Sequence, residues 1–118
     1  VPYTSYSAKV SYMKENPEVI QKFTNALQKG MDYVQSHTPE EIAEAIAPQF
    51  KETDLETITT IVKRYYDQDT WKENLIFEKD SFELLQDILE DAGELTQRAN
   101  YEDLVQTFYA ENAVKDKQ

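Results

Sequence analysis

Apolar side chains recur at helical spacing over most of the chain. Val19, Ile20, Phe23, Ala26, Leu27, Met31 and Val34 fall three and four positions apart, the period of one helix face. Ahead of them stand Asn16, Pro17 and Glu18. Asparagine is a good N-cap, proline suits the first helical position, and a carboxylate complements the positive end of the dipole. Gly30 interrupts this helix at a cost of about 1 kcal/mol relative to alanine; close packing against a neighbour is the reason expected for it. Thr38-Pro39-Glu40-Glu41 has the capping-box spacing, with proline at the first helical position, and Ile42, Ala45 and Ile46 form a narrow stripe that Pro48 stops. Thr53-Asp54-Leu55-Glu56 repeats the device ahead of Leu55, Ile58, Ile61, Val62 and Tyr65. Residues 67–77 break the pattern and read as a loop anchored by Trp71. From about Ser81, Phe82, Leu85, Ile88 and Leu89 turn inward, and Gly93 supplies a left-handed cap. Asn100 is expected to cap a last helix carrying Leu104, Val105, Phe108 and Tyr109, followed by a frayed polar tail over residues 114–118.

The opening differs. Tyr6, Ala8 and Val10 alternate with Ser7, Lys9 and Ser11, which predicts a strand over about Tyr3 to Ala8. The fold class expected is therefore mainly α, with one leading strand and about five helices. A lone strand forms no sheet, so a partner strand must come from another chain or another part of a larger protein.

Composition narrows the chemistry. With 12 basic and 23 acidic residues the net charge is −11, which repels phosphate backbones, so no nucleic-acid partner is expected. There is no cysteine, which excludes disulfides, thiolate nucleophiles and cysteine-ligated zinc within these residues. Gly30 and Gly93 stand far apart, so glycine-rich phosphate loops and dinucleotide fingerprints are excluded. At 40% hydrophobic and 12% aromatic residues the chain is too apolar for a disordered acidic tail, yet no run approaches the length of a membrane helix.

Few residues could carry a reaction. His37 is the one histidine and precedes a capping box, so it reads as a solvated turn residue, and no metal or cofactor is expected. Asp67, Asp69 and Glu78 match the first, third and twelfth positions of a calcium loop, but Lys72 replaces the sixth-position glycine and Trp71 offers no oxygen at the fifth. Glu40, Glu41 and Glu44 suit the start of a helix, while Glu90, Asp91 and Glu94 read as a solvated face. No catalytic residue is assigned. Tyr3, Thr4, Ser5 and Tyr6 combine aromatic rings with hydroxyls and are the candidate ligand-binding set, against the alternative of an ordinary strand.

The order of these devices resembles a known family. Asn16-Pro17-Glu18-Val19-Ile20 with Phe23, Ala26-Leu27 and Gly30 is similar to a helix of extracytoplasmic solute-binding proteins of ABC transporters. The nearest group serves nitrate, sulfonate or taurine, and thiamine-pyrimidine-precursor uptake. His37-Thr38-Pro39-Glu40-Glu41-Ile42-Ala43, Thr53-Asp54-Leu55, the run from Tyr65 to Trp71, and Asp91-Ala92-Gly93-Glu94-Leu95 follow in the same order. The resemblance implies a non-catalytic protein of two α/β lobes (the type II periplasmic-binding-protein fold), of which this chain is the C-terminal part. Residues 1–10 would form a crossover or hinge strand, and residues 11–113 helices packed on the first lobe. The partners implied are a small solute and an ABC permease. The place implied is outside the cytoplasmic membrane, periplasmic or lipid-anchored through an upstream segment. Helices shaped to cover a sheet would expose apolar stripes without it, so self-association of this stretch is expected. Two other readings stand beside this one: a stand-alone acidic helical interaction domain, and a hydrolase using an acidic pair.

Overall fold

The computed structural model describes residues 4–116. Among them lie seven α-helices: α1 (Val10–Glu15), α2 (Pro17–Ser36), α3 (Pro39–Ile46), α4 (Leu55–Asp67), α5 (Lys79–Asp91), α6 (Tyr101–Leu104) and α7 (Phe108–Asp116). A 3-10 turn, Ala47–Gln49, follows α3. No strand occurs among the described residues, and none of their helices is long and apolar enough to cross a membrane.

The leading strand is thus corrected. Residues 4–9 have no regular structure and are exposed, and α1 starts at Val10. Alternation prepares one face of a strand, but a strand also needs a ladder partner for its N–H and C=O groups. The described residues provide none.

Two units divide the chain. Residues Asn25–Leu75 form one; the stretches up to Thr24 and from Ile76 form the other. In the first unit, Ile42 and Ala43 of α3 meet Ile58 and Val62 of α4, with Val34, Ile46, Ala47 and Trp71 packed around them. Trp71 holds its loop on this core, as its isolation in a polar stretch predicts. The capping box at α3 is complete: the Glu41 amide donates to the Thr38 hydroxyl at 3.2 Å and the Thr38 amide to the Glu41 carboxylate at 2.8 Å. The second device is shifted by one residue. Asp54, not Thr53, caps α4, accepting from the Thr57 amide at 2.9 Å. Only Ile58 and Val62 of the expected α4 stripe are buried; Leu55, Ile61 and Tyr65 are exposed.

In the other unit, Phe82, Ala110 and Ala113 are buried. Phe82 sits edge-on between Phe77 and Tyr101, at centroid distances of 5.9 and 5.7 Å. The Tyr101 hydroxyl donates to the Phe77 carbonyl. Helix α5 begins at Lys79 behind Glu78 and ends as expected at Gly93, whose φ is +75°. There the Glu94 amide reaches the Leu89 carbonyl at 2.9 Å and the Gly93 amide the Glu90 carbonyl at 2.9 Å, a Schellman closure. Ile88, expected inward, is exposed.

The last helix is also corrected, because it breaks in two. Val105 adopts an extended conformation between α6 and α7, and the Gln106 side chain accepts from the Phe108 amide at 2.8 Å to restart the helix. The polar tail stays helical to Asp116. Asn100 precedes α6, but its side chain donates to the Asp103 carboxylate instead of capping the backbone.

Candidate functional site

The sequence singles out Tyr3, Thr4, Ser5 and Tyr6. Tyr3 lies outside the described residues. Thr4, Ser5 and Tyr6 are exposed. Tyr6 is 76% exposed yet placed: its ring meets Phe23 of α2 edge-on, 5.1 Å between centroids and 80° between planes. Such a contact contributes about 0.5–1.5 kcal/mol beyond simple burial when well packed. Val19, one turn before Phe23, is 51% exposed and Phe23 is 47% exposed. The pair therefore lies on an apolar strip at the surface. Sequence reading placed Phe23 in the core, because its spacing matches Ile20 and Leu27. No local signal reveals a contact spanning 17 positions.

Surface hollows occur in the other unit. One, of about 390 Å³, runs along Thr60, Lys63, Arg64, Asp67 and Gln68 of α4 and its end. Another, of about 470 Å³, is lined by residues 48–53 after α3. Neither contains a member of the candidate ligand set.

The acidic groups are held by cations and backbone. Asp67 is bound by Lys63 at 2.9 Å and Asp69 by Lys72 at 3.0 Å, while Glu78 starts α5. The calcium-loop positions are therefore not brought together. No cluster of three or more histidine or acidic groups able to hold a metal occurs among the described residues. Glu83, Asp87 and Glu90 share one face of α5, and Arg98 reaches all three at 3.0, 2.7 and 2.9 Å. Those bonds, to Asp87 first, raise the guanidinium pKa further above its already high value. Glu41 and Asp54 lie below the ordinary carboxylate range, chiefly through the backbone amides of Thr38 and Thr57 respectively.

His37 is a helix-end staple. Its ring stacks on Tyr33 at 3.6 Å and 13°. Its Nδ1 lies 2.7 Å from the Tyr33 carbonyl oxygen. A carbonyl only accepts, so Nδ1 is the donor in this contact.

The least anticipated feature is a set of glutamine clamps. Gln86, 5% exposed, donates to the Ala99 carbonyl at 3.1 Å and accepts the Ala99 amide at 2.6 Å. Gln28, 2% exposed, donates to the Glu73 carbonyl at 2.9 Å, and Gln35 to the Trp71 carbonyl at 3.1 Å. Gln21 donates to the Tyr109 carbonyl at 2.9 Å and, through its own Oε1, accepts from the Asn112 side-chain amide at 3.2 Å. A primary amide carries both donor and acceptor, so it can satisfy loop or helix backbone without a strand. The Gln28 Oε1 atom is buried without a partner.

The chain is 36% identical over 117 residues to a protein of Bacillus subtilis (strain 168) named "Putative binding protein YtlA". The match covers 99% of this chain and 35% of that relative, so the chain spans about a third of the relative's length. No protein-family model matches the chain. No solved structure matches it.

Proposed function

We propose that this chain is the C-terminal part of a non-catalytic solute-binding protein that feeds an ABC import system outside the cytoplasmic membrane. The observation that carries the reading is a match over nearly the whole chain to a relative named as a binding protein. The ordered capping devices that resemble the nitrate, sulfonate and thiamine-precursor group point the same way. In this reading two α/β lobes close about hinge strands on a small solute and then dock on the permease. The stretch ahead of α1 becomes, in this reading, one of those hinge strands once a sheet contributed by the rest of the protein pairs with it. Tyr3, Thr4, Ser5 and Tyr6 lie at the cleft, with the Tyr6 ring steadied by Phe23. Anchoring to the membrane falls to an upstream segment.

The test uses the longest protein that carries this stretch. Thermal shift and calorimetry against nitrate, alkylsulfonates and pyrimidine precursors should find a solute that raises the melting temperature, since a ligand bound only by the native state stabilises it. Tyr6→Ala should weaken that solute at least several-fold without unfolding the protein. A gene with no upstream lobe and no neighbouring permease or ATPase would discard the reading.

A second reading, an acidic helical interaction domain that stands alone, draws on the amphipathic helix stripes, of which Ile42, Ala43, Ile58 and Val62 close a core without a sheet. A cooperative, monomeric melt of residues 1–118, with no dye-binding apolar surface, would favour it over the first.

A further inference from the structure

We draw no further inference here: the strongest candidate, the exposed apolar strip of Val19 and Phe23 on α2 with Tyr6 laid against it, is an unpartnered face and nothing in the structure shows what covers it.

Discussion

The two glycines separate two uses of one residue. Gly93 has φ +75°, a region that costs a residue with a Cβ about 1–2 kcal/mol. Gly30 sits within α2 in ordinary helical geometry, and a Cβ there would meet nothing within 4 Å. The packing expected of Gly30 is therefore absent from the described residues. Substitution by alanine should act in opposite directions in this chain. Gly93→Ala should destabilise it by about 1 kcal/mol, and Gly30→Ala should stabilise it by up to about 1 kcal/mol. Urea titrations of the two variants check both signs. A loss from Gly30→Ala in a longer protein, with a gain in this chain, would locate a neighbour over that helix face.

Asp54 tests a charge at the same scale. Its folded pKa is depressed, first through the Thr57 amide. Its contribution is therefore present above the unfolded value, about 3.9, and is lost as pH falls through the lower folded one. Asp54→Asn keeps an oxygen for the Thr57 amide but cannot titrate. Melting temperatures between about pH 5 and pH 2 should fall less steeply for the variant than for the parent.

Elements are built from short-range and long-range devices, and only the first were readable. The Thr38–Glu41 box and the Gly93 cap are each complete within a few residues, so residue type and spacing define them. Thr38→Ala should cost about 1 kcal/mol, visible as a lowered urea midpoint. The split between α6 and α7 left no such mark. Leu104, Val105, Phe108 and Tyr109 keep helical spacing across it, and the break rests on an extended Val105 and the Gln106 cap. Nor could sequence show the glutamine clamps, whose partners lie up to 91 positions away. Gln86→Leu tests their weight. It removes both bonds to Ala99 and orphans that residue's amide and carbonyl, so a loss of about 2–3 kcal/mol is expected in the same titration. The candidate ligand set, Tyr3, Thr4, Ser5 and Tyr6, could be proposed only from residue chemistry, because its surroundings depend on pairing that the described residues do not supply.

At the scale of the whole molecule, apolar surface and charge oppose each other. Val19 and Phe23, Ile61 and Tyr65, and Leu84 and Ile88 are exposed pairs one turn apart on three helices. A net charge of −11 keeps such surfaces apart at low salt and less so when screened. Residues 1–118 should therefore associate more strongly as ionic strength rises, with sedimentation coefficients growing with concentration. Val19→Ser with Phe23→Ser should reduce that growth. A monomer at every concentration and salt level would remove self-association from the reading.

The Gln86 clamp has a consequence in time as well as in energy. Ala99 belongs to no helix, and its neighbours Arg98 and Asn100 are exposed. Its amide nitrogen nonetheless donates, at 2.6 Å, to the Oε1 of Gln86, a side chain itself buried on α5. That proton cannot exchange with solvent deuterium until the loop lifts from the helix. Ala99 should thus appear in an exchange experiment as a slow amide separate from the bonded amides of residues 92–95 at the α5 cap. Its rate would report the lifting of residues 96–100 from α5 directly, without waiting for the helices to unfold.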